Sequence, residues 1–224
     1  YLEIRPENEG RLRALIEQGR IQVGPWYTMP DERIVSGEAL IRNMLLGKKL
    51  SRRFGAEAMA YGYLCDIFGH IAQMPQILCG FGIDQAMLWR GVNLKNHRFF
   101  RWESPDGSAV TVYKLSGRLG YGNVKEFHKI VEKGAPDAGE WLPEALDEAE
   151  KVFERERQRG GDNPQLWLDG HDNERPTANM VKALRAVEEH LTDAEVIFSD
   201  FATFATATEA ERADMPTKRG ELIE

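Results

Sequence analysis

Residues 62–78, GYLCDIFGHIAQMPQIL, have the pattern of a strand, a turn and a helix. The apolar residues from Met59 to Leu64 predict a short strand, and the run from Ile71 to Cys79 predicts a helix directly after it. The turn between them holds Asp66 beside a phenylalanine, a glycine and a histidine. Because substrates of alternating strand–helix proteins bind where strands end, Asp66 is a candidate nucleophile, base or metal ligand. A helix cap is the alternative role.

Short apolar runs alternate with amphipathic segments along the rest of the chain. We predict further strands at 21–23, 86–89, 165–168 and 196–198, and a hairpin joining 100–103 to 110–113. Helices are predicted from Pro6, from an N-cap at Ser36 to near Gly55, over 143–159 and from a cap at Thr177, while 116–139 reads as a long loop with one short helix. This alternation is typical of βα units in a parallel sheet, with too few strands for a closed barrel.

Composition narrows the class of partner. A net charge of −7 argues against a general nucleic-acid or anionic-membrane partner. No run of about 18 apolar residues predicts a membrane span, and no signal peptide opens the sequence. Cys65 and Cys79 lack a redox or metal spacing, so we expect free thiols in a reducing bacterial cytoplasm.

Four segments, in order, carry a resemblance to glycoside hydrolase family 38, the zinc-dependent retaining α-mannosidases. D-x-F-G-H at 66–70 with M-P-Q-I-L at 74–78 looks like that family's nucleophile segment. The other three are Trp26 to Glu32 with S-G-E-A-L-I-R-N at 36–43, Gly82 to Arg90, and Asp169 to Asn173.

The resemblance implies a fold and an extent. We expect an α/β fold, a partial (β/α)7 barrel with parallel strands that lacks its first strand or strands and its C-terminal continuation. Residues 1–224 would then form a single, incomplete N-terminal catalytic domain, inactive by itself.

The resemblance also implies the catalytic groups. Retaining hydrolysis needs two carboxyl groups about 5–5.5 Å apart, and Asp66 and Asp172 each follow an apolar run. By resemblance, Asp66 is the nucleophile and Asp172 the general acid/base. The alternative for Asp172 is a structural role as an acid at the start of a helix. Asp169 is a nearby rival for the acid/base role, but it does not match the motif position. The implied cofactor is Zn²⁺, for which Asp66 is the one ligand present; the other ligands would lie outside this chain.

Five further residues are candidates for substrate binding. Arg90 would orient Asp66 and keep it ionised. Trp26 would stack on a sugar face or pack in the core, and Asp31 would accept hydroxyl protons. His171 would contact sugar or occupy an ordinary polar turn, and Tyr121 matches the site loosely.

The predicted substrate is a mannoside or a mannose-containing oligosaccharide. Hydrolysis of mannosylglycerate or its 6-phosphate is the alternative within the family. A carbohydrate deacetylase would need an H-x-x-x-H pair, which is absent from the sequence, and a non-catalytic sugar-binding domain would have no reason to place acids after two strands. Open sheet edges favour association into a homo-oligomer.

Overall fold

The structure, a computed structural model, describes residues 1–134 and 141–223. Its helices are α1 (Glu9–Glu17), α2 (Gly37–Arg53), α3 (Met74–Gly80), α4 (Lys125–Lys133), α5 (Leu142–Gly160), α6 (Met180–His190) and α7 (Phe201–Ala207), with 3₁₀ turns at Pro6–Asn8 and Glu209–Arg212. None of the helices in the described ranges combines the length and apolar character that crossing a bilayer requires. Part of the predicted loop, 135–139, lies outside the described residues.

In the described parts of the chain, five strands form one open sheet. They are β1 (Gly62–Leu64), β2 (Gln85–Leu88), β3 (Phe99–Glu103), β4 (Ala109–Lys114) and β5 (Thr217–Arg219), in the order β1-β2-β4-β3-β5. The pairs β1–β2 and β3–β5 are parallel. The protein is therefore a mixed α/β protein with a mostly parallel sheet that does not close, and the finer expectation of a partial (β/α)7 barrel stays a prediction.

The β3–β4 hairpin was predicted and is present. Ser104 N donates to Ser108 O at 2.8 Å, and Lys114 N donates to Arg98 O at 2.7 Å, so the paired residue numbers run in opposite directions. Asp106 stabilises the turn by accepting from Ser108 N at 3.0 Å. The turn sequence P-D-G-S is thus read correctly as a chain reversal.

Three predicted strands are wrong. Residues 21–23 share one backbone hydrogen bond with Met59, at 3.0 Å, which does not make a ladder. Residues 165–168 run without strand pairing because the side chain of Asn123 accepts from Leu168 N at 2.7 Å and donates to Leu166 O at 2.8 Å. Residues 196–198 join no strand, and Ile197 and Phe198 are largely exposed.

One strand was missed. Thr217–Arg219 is polar and carries no alternation signal, yet it pairs with β3 in parallel register. Trp102 holds the chain just beyond this strand, because its indole N–H donates to Gly220 O at 2.8 Å. Tertiary packing, rather than β propensity, therefore sets β5.

Helix boundaries deviate where a local signal misled the reading. Ser36 caps α2 as predicted, accepting from Ala39 N at 3.2 Å. The predicted helix from Ile71 begins only at Met74, with Pro75 in its first turn. Thr177 lies two residues before Asn179, which occupies the N-cap position of α6. The hydroxyl of Thr177 accepts from Asn179 N at 3.3 Å, so it supports the start of the helix, and the Asn179 side chain donates to Val131 O and Gly134 O.

The chain divides into two compact units. The first comprises Tyr1–Asn93, Phe100–Tyr113 and Pro216–Glu224, and the second Leu94–Phe99 and Lys114–Met215. In the first, β1, β2 and β4 bury Leu64, Met87 and Val112 completely. Helix α2 buries Leu40 and Met44 but leaves its apolar residues Ile41 and Leu45 39% and 53% exposed. The buried face of α2 extends to Gly47. The backbone of another segment packs closely there, because an added Cβ would lie 2.1 Å from Pro25 O.

The second unit has its own core, formed where α4, α5 and α6 meet. Phe127 and Val131 of α4, Val152 of α5 and Val187 of α6 are buried there. Trp167 packs against this cluster, with its ring edge-on to Phe127. Buried apolar area of this kind is the main stabilising term of such a helical layer.

Candidate active site

Asp66 and Arg90 lie at the ends of neighbouring parallel strands. The register pairs Leu64 of β1 with Leu88 of β2, and each charged residue follows its strand by two positions. Equal offsets on parallel strands bring side chains to the same sheet edge. The Arg90 guanidinium accordingly donates from Nη2 and Nε to Asp66 Oδ1 at 3.0 and 3.1 Å. The predicted contact is present.

Aromatic rings hold the guanidinium of Arg90. Its Cζ atom lies 3.8 Å from the ring centroid of Trp89 and 4.5 Å from that of Phe68. Phe68 is exposed, and the side chains of Asp66 and Arg90 are about one third exposed. Asp66 is therefore oriented by a cation with restricted motion, while its carboxylate still reaches solvent.

A buried acid that was not singled out in the sequence, Glu32, fixes the turn that carries Asp66. Glu32 accepts from His70 Nδ1 at 2.7 Å and from Ile71 N at 3.0 Å, and both side chains of the Glu32–His70 pair are 0% exposed. His70 also lies edge-on to Trp102. Gly69, with φ of 109°, makes the sharp turn before it. His70 therefore positions the turn and does not begin α3.

Glu32 belongs to the segment from Trp26 to Glu32, and helix α2 supports that segment. Asn43 of α2 accepts from Tyr27 N at 2.8 Å and donates to Thr28 O at 2.7 Å, which ties residues 26–28 to the helix. Trp26 is 9% exposed and donates to Tyr63 O at 3.1 Å, so core packing is the role that the structure shows for it. Asp31 is exposed, and its backbone O accepts from Ile34 N.

Cys65, directly before Asp66, is no rival nucleophile. Burial raises the pKa of its thiol to about 12, and the thiolate is the reactive form of cysteine. Cys65 and Cys79 are both free, as predicted.

Asp172 lies in the second unit on an exposed turn. The Tyr121 hydroxyl donates to Asp172 Oδ1 at 2.7 Å, so the structure brings these two predicted residues together. Asn173, next along the chain, has φ of +62° and is the one non-glycine residue with positive φ among residues 1–134 and 141–223. Backbone of this kind is concentrated at functional sites. His171 is half-buried.

Asp172 does not follow a sheet strand, so that prediction was wrong. Residues 165–168 are not a strand, and they belong to the second unit, whereas all of β1, β2 and β5 lie in the first. The catalytic role of Asp172 therefore rests on its motif position and its contact with Tyr121, and it stays a prediction.

A second group of acids surrounds His128 of α4. Asp169 Oδ1 lies 2.7 Å from His128 Nδ1, which gives Asp169 a structural partner. A ring nitrogen of His128 and one oxygen each of Glu132 and Glu174 lie within 4.8 Å of one another. The sequence signal was the i, i+4 spacing of His128 and Glu132 on a helix, which puts both on one face.

The zinc site that the resemblance implies is not built by the described residues. The three-ligand group around His128 is the one such group found among them, and it does not include Asp66. Asp66 Oδ1 is instead engaged by Arg90. A tetrahedral zinc site takes four ligands, and Asp66 supplies at most one.

Comparisons with known proteins agree with the motif reading. The model of the glycosyl hydrolases family 38 N-terminal domain matches residues 1–221. A putative mannosylglycerate hydrolase of Halalkalibacterium halodurans is 31% identical over 228 residues, covering 94% of this chain and 24% of that relative. Alpha-mannosidase 2C1 of Mus musculus is 28% identical over 225 residues, covering 97% of this chain and 20% of that relative.

A solved structure shows the same fold. An alpha-mannosidase from Enterococcus faecalis superimposes with a TM-score of 0.86 at 24% identity, over 99% of this chain and 24% of that one. The chain spans about a quarter of the length of the relatives that it matches. It belongs to the glycoside hydrolase family 38 N-terminal domain family.

Proposed function

We propose that this chain, residues 1–224, is the N-terminal catalytic domain of a retaining α-mannosidase. The observation that carries the proposal is Asp66 at the end of β1, held by two hydrogen bonds from Arg90 at the end of β2. An ionised carboxylate that is oriented but still solvent-accessible is what nucleophilic attack on a sugar requires.

The proposed reaction has two displacements. An oxygen of Asp66 attacks the anomeric carbon of the mannoside, the glycosidic C–O bond breaks, and Asp172 gives its proton to the departing oxygen. Asp172 then removes a proton from water, which attacks the same carbon and releases mannose and the Asp66 carboxylate. The configuration at the anomeric carbon is therefore retained.

Neighbouring side chains support each carboxyl group in its role. Arg90 fixes the orientation of Asp66 through two hydrogen bonds. The hydroxyl of Tyr121, 2.7 Å from Asp172 Oδ1, holds the carboxyl that must exchange a proton. His171 and the exposed Asp31 are proposed contacts for sugar hydroxyls.

The general acid/base role of Asp172 can be tested with leaving groups of different basicity. In the full-length protein, Asp172→Asn is expected to slow hydrolysis of alkyl mannosides by ~10²–10⁴-fold, because these leaving groups need a proton. Aryl mannosides with acidic phenols should lose far less. Tyr121→Phe should give a milder form of the same pattern. An equal loss on both kinds of substrate would remove the assignment.

A second candidate substrate is mannosylglycerate. The observation in its favour is the relative at 31% identity, named as a putative mannosylglycerate hydrolase. Comparing kcat/KM on mannosylglycerate, its 6-phosphate and 4-nitrophenyl α-mannoside decides between the substrates. Binding of all three without turnover would instead indicate a non-catalytic sugar-binding domain.

A further inference from the structure

Helix α4 presents two metal-ligating side chains on one face. His128 and Glu132 are four residues apart, so they lie one turn above each other. Glu174 comes from the segment that follows Asp172, and its carboxylate closes a group of three ligand atoms within 4.8 Å of one another. One imidazole nitrogen and two carboxylate oxygens are a donor set that divalent metal ions accept.

The burial of His128 is the independent observation. Its side chain is 6% exposed, and its Nε2 atom is buried with no hydrogen-bond partner among the described residues. A buried imidazole nitrogen without a partner costs free energy. One carboxylate oxygen each of Glu132 and Glu174 lies within 4.8 Å of a ring nitrogen of His128, so an ion held by this group would give the buried imidazole the partner that it lacks.

Asp169 completes the arrangement. It bonds to Nδ1 of His128 at 2.7 Å, which leaves Nε2 as the nitrogen with a lone pair to offer. Metal-binding histidines usually donate their other ring N–H to a carboxylate, which fixes the tautomer and makes the ligand more basic. In this protein Asp169 is the carboxylate that accepts from the histidine, His128 would be the metal-binding histidine, and the two glutamates would be the other ligands.

We propose that His128, Glu132 and Glu174 bind a divalent transition-metal ion of the zinc class, with Asp169 as the residue that positions His128. The imidazole favours such an ion over Ca²⁺ or Mg²⁺. Three protein ligands leave a position for water. The site excludes Asp66, and it does not rest on the proposed hydrolase function.

Bound metal would tie the Asp172 turn to α4. Asp169 and Glu174 lie on either side of Asp172 in the sequence. Asp169 is held to α4 by its hydrogen bond with His128, and Glu174 would be held to the same helix through the ion. The site therefore serves to order the segment that carries the proposed acid/base. This role is separate from attack by Asp66.

Co²⁺ is the probe, because its visible absorption reports the ligands directly. Metal-stripped full-length protein is titrated with Co²⁺ and then back-titrated with Zn²⁺. Glu132→Gln and Glu174→Gln should each lower the affinity for one Co²⁺ ion by at least tenfold, and Asp169→Asn should lower that affinity by ~10–100-fold. Glu126→Gln is the matched control: it is an exposed acid on the same helix, paired with Lys129, and should change nothing.

Asp66→Asn separates this site from the family's zinc site. The Co²⁺ bound at His128 should persist in that variant with unchanged absorption, whatever happens to turnover. Nitrogen NMR of wild-type protein adds a test that needs no substitution: Zn²⁺ should shift Nε2 of His128 while Nδ1 keeps its proton. Unchanged Co²⁺ affinity in both glutamine variants, or an Nε2 resonance that ignores Zn²⁺, would overturn the proposal.

Discussion

Replacing Arg90 tests how much the strand-end geometry contributes to catalysis. Arg90→Met removes both hydrogen bonds to Asp66 Oδ1, at 3.0 and 3.1 Å, and keeps an unbranched side chain between Trp89 and Phe68. A hydrogen bond to a charged group is worth about 1.5–3 kcal/mol when buried. Because both side chains are about one third exposed, we reduce this to about 1 kcal/mol per bond.

Losing two such bonds should raise the activation free energy by about 2 kcal/mol, because the nucleophile is less well oriented. This corresponds to a decrease of about 30-fold in kcat/KM. The assay is hydrolysis of 4-nitrophenyl α-mannoside by the full-length protein. The unfolding midpoint should barely change, because a part-exposed ion pair contributes about 0–1 kcal/mol to stability. Arg90→Lys should recover only part of the rate, since an ammonium group lacks the planar fork.

Arg42→Met is the matched control, since Arg42 forms an exposed ion pair with Glu38 at 2.7 Å on α2. Its activity should equal that of the wild type. A kcat/KM for Arg90→Met within threefold of the wild type would refute the reasoning. A rate loss explained entirely by a lower unfolding midpoint would refute it equally.

Three further outcomes follow from the buried polar groups. Glu32→Ala should lower the free energy of unfolding in urea by about 3 kcal/mol, because it leaves two buried donors, His70 Nδ1–H and Ile71 N–H, without their acceptor; a change below about 1 kcal/mol would contradict this. Burial, aided by the Arg159 guanidinium, lowers the pKa of Lys114 from 10.5 to about 8. Between pH 8 and 10.5 the unfolded chain holds more protons than the folded chain, so Lys114 makes the free energy of unfolding rise with pH across that window. Lys114→Met should abolish this rise. It should also increase the free energy of unfolding at pH 7 by about 2 kcal/mol, after the lost hydrogen bond is counted. Cys65, whose pKa burial raises to about 12, should react with thiol reagents at pH 8 only after unfolding; labelling in native protein would contradict its burial.

The sequence predicted the Asp66–Arg90 contact because local rules suffice there. Two short apolar strands, each ending two residues before a charge, adjoin in a parallel sheet, and the register then fixes the pair. The capping Ser36 and the P-D-G-S hairpin were predictable for the same reason. The cap and the hairpin depend on residues within a few positions of each other, and the Asp66–Arg90 pair depends on two parallel strands joined by one short helix.

Features that depend on distant partners were not predictable. Asn123 replaces a strand partner for residues 166–168, from more than 40 positions away. Polar β5 is a strand only because β3 offers an edge. Glu32 was not singled out in the sequence, and its role becomes visible only from its burial against His70. Periodicity cannot reveal such partners, because they are set by tertiary packing.

The central claim is that Asp66 is the nucleophile of a retaining α-mannosidase. Trapping the glycosyl-enzyme tests it most directly: the full-length protein is inactivated with a fluorinated mannosyl fluoride, whose intermediate hydrolyses slowly, and the labelled peptide is identified by mass spectrometry. We expect one fluoromannosyl group per active site, on the peptide that contains Asp66, and no label in Asp66→Asn. Label on a different acid, or inversion of the anomeric configuration in the product by proton NMR, would contradict it.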